Sequence, residues 1–194
     1  MLLAKTGTQS TIWIGGYDTQ TVRTLLSKQY SKQKIDSTSD DKLMSLVSWT
    51  PIISQNYWAT YLVSAKISNI TVPLSVTAVI YDSGTSLIYM PTQEYNVIRA
   101  EIIRNKKCYK DPSGDTYCKC KDEHDPGYPT IQIDIGNMKL TLESKWYLMK
   151  FTYSGANPDC FVGISADDTL SGNYWLLGDT FLRAYLMLYD KGNN

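Results

Sequence analysis

Val76-Thr77-Ala78-Val79-Ile80-Tyr81-Asp82-Ser83-Gly84-Thr85-Ser86-Leu87-Ile88 is the stretch on which the fold turns. Its first six residues are nearly all apolar or β-branched, the pattern of a strand buried on both faces. The run stops at Asp82 and gives way to small residues before apolar character resumes at Leu87. Gly84 lets the backbone turn tightly and approach a neighbour, and hydroxyls on both sides can orient the carboxylate. A strand that delivers an acid into such a turn displays it from a rigid base. Asp-Ser-Gly is also an ordinary turn tripeptide, so these four residues do not by themselves separate a catalytic acid from a structural turn.

Working outward, strand-like segments occupy residues 11–14, 46–49, 57–63 and 65–70 before this stretch, and 130–135, 139–143, 146–153 and 185–189 after it. They are rich in Ile, Val, Thr and Tyr and are separated by Gly, Asn and Asp turn signals. One helix is convincing. It follows Pro91, with Thr92 as N-cap, Glu94 in the first turn, and Tyr95, Ile98, Ile102 and Ile103 on one face. A short helical turn is expected near residues 180–183. Residues 28–41 are Ser, Lys, Gln and Asp rich and read as an exposed loop insertion. The expectation is an all-β chain with one or two short helices.

Charge and composition narrow the function classes. Lys plus Arg equals Asp plus Glu at 19 each, so no basic field points to nucleic acid or to an anionic membrane. Ser, Thr and Asp interrupt every apolar run before it could span a bilayer. The start Met1-Leu2-Leu3-Ala4-Lys5 is too short in its apolar part to be a signal peptide. Against a cytosolic reading stand the even number of cysteines and Asn69-Ile70-Thr71, a candidate N-glycosylation acceptor at Asn69.

Cys108, Cys118, Cys120 and Cys160 admit three pairings. A local Cys108–Cys118 staple around Pro112-Ser113-Gly114 with a longer Cys120–Cys160 bridge is favoured. The rival is a zinc site completed by His124, but Cys118-x-Cys120 is not the usual knuckle spacing and Cys160 is remote. No metal and no cofactor are therefore expected.

Ala78-Val79-Ile80-Tyr81-Asp82-Ser83-Gly84-Thr85-Ser86-Leu87-Ile88 resembles the second active-site segment of the pepsin-like aspartic proteases. Three further segments resemble that family in the same order along the chain. They are Ile14-Gly15-Gly16-Tyr17-Asp18, then Trp49-Thr50-Pro51-Ile52 with Tyr57-Trp58, and finally Trp175-Leu176-Leu177-Gly178-Asp179-Thr180-Phe181-Leu182-Arg183. One match alone is weak, but four collinear matches cover almost the whole chain.

The resemblance implies a C-terminal lobe of the pepsin type, a distorted β-barrel or orthogonally packed sheets, with residues 1–194 forming that lobe. Asp82 would be one of two catalytic aspartates. Thr85 would hydrogen-bond its carboxylate, Ser83 would lock the two active-site loops, and Leu176-Leu177-Gly178 would pack beneath the Gly84 turn. Tyr57 and Ser86 would meet a polypeptide substrate, while Trp58 reads more simply as a core aromatic. Cys120–Cys160 would match the lobe's usual disulfide, with Cys108–Cys118 an addition. The implied setting is the secretory pathway, lysosomal, vacuolar or extracellular.

The sequence departs from the family in having no second hydrophobic-Asp-Thr-Gly segment and no flap hairpin. The expectation is a fragment that lacks the N-terminal lobe and the last strand and is inactive alone. A catalytically dead peptide-binding module, or a homodimer using Asp82 twice, are the other classes this sequence allows.

Overall fold

The computed structural model describes residues 10–28, 32–151, 159–169, 174–190 and 192. In chain order the elements are α1 (Thr19–Leu26), α2 (Lys32–Asp36), α3 (Asp40–Leu43), a 3-10 turn (Met44–Leu46), β1 (Ala59–Ile67), β2 (Ile70–Thr71), β3 (Ala78–Tyr81), β4 (Ile88–Met90), α4 (Thr92–Ile103), β5 (Cys108–Lys110) and β6 (Thr116–Lys119). They continue with β7 (Ile131–Ile135), β8 (Met138–Leu142), α5 (Ser144–Tyr147), β9 (Leu148–Phe151), β10 (Asp159–Val162), β11 (Ile164–Ala166), β12 (Tyr174–Leu177) and α6 (Asp179–Leu182).

Two sheets organise the described residues. The larger runs β11-β4-β12-β3-β1-β7-β8, with β2 added beside β1, and the smaller runs β5-β6-β10-β9. β3 is central, flanked by β12 in parallel and β1 antiparallel. That position explains its unbroken apolar sequence, since Val79 and Ile80 have neighbours on both faces and are buried. Trp175 and Leu177 of β12 and Phe181 of α6 join Val79 in one core with Ile98 and Ile102 of α4.

The two runs expected at 57–63 and 65–70 merge over residues 59–67 into one strand, β1, with Ile70 opening β2, and β1 carries a register shift against β7 between Leu62 and Ser64. Such a bulge leaves one extra residue and bends the strand, which is why Val63 points outward while Leu62 and Ala65 are buried. Both disulfides form with the expected pairing. Cys108–Cys118 closes the β5–β6 hairpin, and Cys120–Cys160 ties its exit to β10. All four cysteines are thereby consumed as disulfides and none is free as a thiolate ligand.

Several expectations are corrected. The 28–41 segment is not simply an exposed loop, because α2 and the start of α3 lie within it and Ile35 is buried. Its few apolar residues are spent well: Ile35 and Leu43 pack with Val22 of α1 out of solvent. Arg23 holds the group together, donating to the carbonyls of Ile35 and Thr38 at 2.6 Å each and to Asp40. Average polarity concealed this arrangement. Residues 29–31 of that segment lie outside the described ones.

Residues 11–14 form an isolated bridge at Thr11 instead of a strand, and Ile12 and Ile14 are exposed. Residues 46–49 leave a 3-10 turn as extended chain without a ladder partner. Residues 185–189 likewise carry no ladder. Side chains hold them, since Tyr185 Oη accepts from Thr141 N–H and donates to Thr141 O, and Tyr189 packs on Trp58 with ring centroids 4.9 Å apart. In all three cases β-branched or aromatic content does not guarantee a neighbouring strand.

Thr92 is the first helical residue of α4, not its cap. Pro91 precedes it, and Asp168 reaches across to accept from Thr92 N–H at 2.8 Å and from Thr92 Oγ1 at 2.7 Å. These two donors hold the Asp168 carboxyl below the usual carboxylate range. The 146–153 run divides into α5 and β9, and its expected end at Tyr153 lies outside the described residues, as does the Met1–Lys5 start.

Candidate active site

The Asp82 turn connects β3 to β4, two strands that do not pair with each other because β12 lies between them. β12 is in register with β3 through Leu177↔Tyr81 and with β4 through Leu177↔Ile88. The chain must therefore arch over the end of β12 to pass from one side to the other. The arch is pinned on both flanks. Asp82 N–H donates to Leu177 O at 3.1 Å, Gly178 N–H to Leu87 O at 3.1 Å, and Asp179 N–H to Thr85 O at 2.8 Å. Thr180 adds two bonds to Ser86 O, from its N–H and its hydroxyl, both at 3.0 Å.

Gly178 is where arch and strand come closest. A Cβ there would lie 2.5 Å from Leu87 O and 2.7 Å from the carbonyl carbon of Thr85, with Thr85 O nearer still. Only a residue without a side chain allows that approach.

Within the arch the carboxylate is held by its own loop. Gly84 N–H donates to Asp82 Oδ1 at 2.8 Å, and Thr85 Oγ1 donates to Asp82 Oδ2 at 2.6 Å. Each oxygen thus has one donor, fixing the rotation of the group while leaving lone pairs for a further partner. Asp82 is half-buried and faces a cleft of about 430 Å³. Tyr57, Trp58, Tyr81, Ser83, Tyr174 and Leu176 line it. Among the described residues that line the cleft, Asp82 is the sole acid.

Aromatic walls flank the acid. Tyr57 is 61% exposed at the rim. Trp58 lines the cleft and rests on Tyr189, so it is a wall and not the core aromatic expected. Tyr81 meets Thr60 hydroxyl to hydroxyl at 2.9 Å, and burial pushes its phenol upward against that bond. Burial, with Tyr81 nearby, pushes Tyr189 up to about 12. Both phenols therefore stay neutral hydrogen-bonding groups under acidic and neutral conditions.

The structure brings together Asp82, Ser83, Gly84, Thr85, Tyr57, Leu176, Leu177 and Gly178. Ser83 lines the cleft, and its hydroxyl has no hydrogen-bond partner among the described residues. Leu177 packs in the core beneath the turn, but Leu176 faces the cleft. Ser86 is exposed outside the cleft lining, and its carbonyl accepts from Thr180. Tyr174 was missed. Its signal was available in the period-two alternation of Tyr174-Trp175-Leu176-Leu177, which puts residues 174 and 176 on one face once Trp175 is assigned to the core.

The family model described as "Eukaryotic aspartyl protease" matches residues 27–194, which include the whole of this site. The chain belongs to the eukaryotic aspartyl proteases. Among curated relatives of this aspartyl protease chain, "Pepsin II-1" of Oryctolagus cuniculus and "Pepsin A" of Bos taurus are each 28% identical over 151 residues. "Aspartic protease" of Phaffia rhodozyma is 26% identical over 147 residues. The matches cover 76% of this chain in each case but 36%, 38% and 35% of the respective relatives. The chain thus spans a little over a third of the length of the curated relatives it matches. The two disulfides of this aspartyl protease domain suit an oxidising compartment. Among the described residues no helix is long and apolar enough to cross a membrane.

Proposed function

We propose that this chain is one lobe of a two-lobed aspartic endopeptidase and supplies one of its two catalytic carboxylates, Asp82. The observation that carries this reading is the held carboxylate, with Gly84 N–H on one oxygen and Thr85 Oγ1 on the other, at the floor of an open, aromatic-walled cleft. Membership of the aspartyl protease family supports it.

In this reading a second carboxylate, from a first lobe outside these residues, faces Asp82 across the cleft. Two such acids share one proton, because like charges in close contact do not both ionise cheaply. The ionised member takes a proton from a bound water as the water oxygen attacks the peptide carbonyl carbon. The protonated member passes its proton to the carbonyl oxygen. The acid that took the water's proton then passes it to the amide nitrogen, the other carboxylate takes a proton back from a hydroxyl of the tetrahedral adduct as the carbonyl re-forms, and the C–N bond breaks to release the amine. Beside Ser83 and Asn56, most of the cleft lining is apolar or aromatic (Tyr57, Trp58, Ile80, Tyr81, Tyr174 and Leu176), which favours apolar residues beside the scissile bond. Asp82 alone has no acid to share a proton with, so the isolated chain is expected to be inactive. The compartment is the secretory route, its vacuolar or lysosomal branch or the exterior.

The test uses the full-length protein that carries this chain, assayed at acid pH on an unfolded protein substrate. Pepstatin-sensitive cleavage, lost in Asp82→Asn with the thermal unfolding profile retained, is the expected result. Cleavage that persists in Asp82→Asn would overturn the assignment. Full activity from the 194-residue chain alone would overturn the two-lobe division.

A further inference from the structure

Asn69-Ile70-Thr71 lies at the tip of the β1–β2 hairpin, at the opposite end of β1 from the cleft. Ser68, at φ 54, makes the turn after Ile67, and residues 68–71 are all exposed. Lys66↔Thr71 and Ile67↔Ile70 are the paired positions that hold the hairpin closed. Neither the Asn69 carboxamide nor the Thr71 hydroxyl is engaged by a hydrogen bond from a described residue. Among the described residues β2 pairs with β1 alone, which leaves its outer edge without a ladder partner there, next to an exposed Ile70. An unpaired edge can pair with another chain, and here it is two residues long.

We propose that Asn69 carries an N-linked glycan that covers the free edge of β2. Asn-x-Thr triplets occur by chance, so the triplet is not what carries the proposal. Two independent observations do. The acceptor stands on a protruding two-residue turn where no refolding is needed for access. The same domain holds two disulfides, which place it in the compartment where such transfer takes place. The donor class is an oligosaccharide carried on a lipid pyrophosphate. The Asn69 Nδ2 forms a bond to the anomeric carbon of the proximal sugar, the bond from that carbon to the pyrophosphate oxygen breaks, and the lipid pyrophosphate leaves with the electron pair. Nδ2 gives up one proton in the exchange. The nine residues of β1 separate Trp58 from Ser68, about 30 Å at about 3.3 Å per residue. A glycan on the tip therefore leaves the cleft open.

The experiment uses the full-length protein secreted from eukaryotic cells and purified with its disulfides intact. Peptide mapping after amidase release in heavy-oxygen water is expected to find residue 69 converted to labelled aspartate in most molecules. Asn69→Gln and Thr71→Ala should lose the modification, and Thr71→Ser should keep it. Recovery of the peptide unmodified from folded, disulfide-bonded, secreted protein overturns the site. Native amidase treatment of the wild-type protein, which needs no variant to fold, is expected to raise the aggregated fraction at least about two-fold by light scattering. An unchanged fraction overturns the edge-covering role.

Discussion

Gly178→Ala tests how the Asp82 arch is held. The backbone at this position has φ −85 and ψ −160, which alanine adopts without difficulty, so the penalty is purely steric. The new methyl would meet Leu87 O at 2.5 Å and the Thr85 carbonyl carbon at 2.7 Å, both backbone atoms that no rotamer change can move aside. Arch and strand must separate. Overpacking of this kind costs about 1–3 kcal/mol. Separation also stretches the bonds from Gly178, Asp179 and Thr180 to the arch, each worth about 0.5–1.5 kcal/mol. A total near ~3 kcal/mol lowers the melting temperature by about 6–12 °C for a domain of this size. A carboxylate displaced by about 1 Å should lose on the order of 100-fold in turnover. Thermal unfolding followed by circular dichroism, with peptidase assays on the full-length protein, reads both effects. Gly16→Ala serves as control, since a Cβ at Gly16 meets nothing within 4 Å and should shift stability by less than about 0.5 kcal/mol. A Gly178→Ala protein that melts within about 2 °C of wild type with unchanged turnover would refute the steric account.

The disulfides differ in the loop they close, with sequence separations of 40 for Cys120–Cys160 and 10 for Cys108–Cys118. Loop entropy alone assigns about 4 kcal/mol to the longer and about 3 kcal/mol to the shorter, so Cys120→Ala/Cys160→Ala should shift the denaturant midpoint more than Cys108→Ala/Cys118→Ala, and the reverse order would sink that explanation. The Thr92 donors hold the Asp168 carboxyl below its ordinary value in the folded state. Its contribution is fully present above about pH 4 and is lost as pH falls through the folded value. Asp168→Ala should therefore melt lower than wild type at pH 6, the gap narrowing as pH falls below about 4; a gap that stays constant with pH would count against the carboxylate as the capping group.

Much of the site was legible because it is local. Gly84 and Thr85 reach the Asp82 oxygens from two and three residues away, so the spacing in the sequence already contains the contact. The burial of β3, the face of α4 and both disulfide pairings were readable for similar reasons of periodicity and spacing. What escaped reading depended on distant partners. The α1–α3 cluster rests on Arg23 reaching carbonyls 12 and 15 residues on, and mean polarity does not reveal such a clasp. The Thr92 cap comes from Asp168, 76 residues away. Residues 185–189 looked like a strand, but they are held by Tyr185 on Thr141 and Tyr189 on Trp58 without a ladder.

The residues alone predict a buried strand that ends in a carboxylate at a small-residue turn, because periodicity and turn chemistry are local; the Thr85 bond to that carboxylate entered as an implication of the family resemblance. Only the tertiary structure decided that β12 passes between β3 and β4, so that Gly178 supports the arch and Leu176 and Tyr174 face the cleft. The Thr180–Ser86 bond spans 94 residues. Which strand closes such a distance is set by the packing of the whole core around Val79, Trp175 and Leu177. No short window of sequence contains that competition.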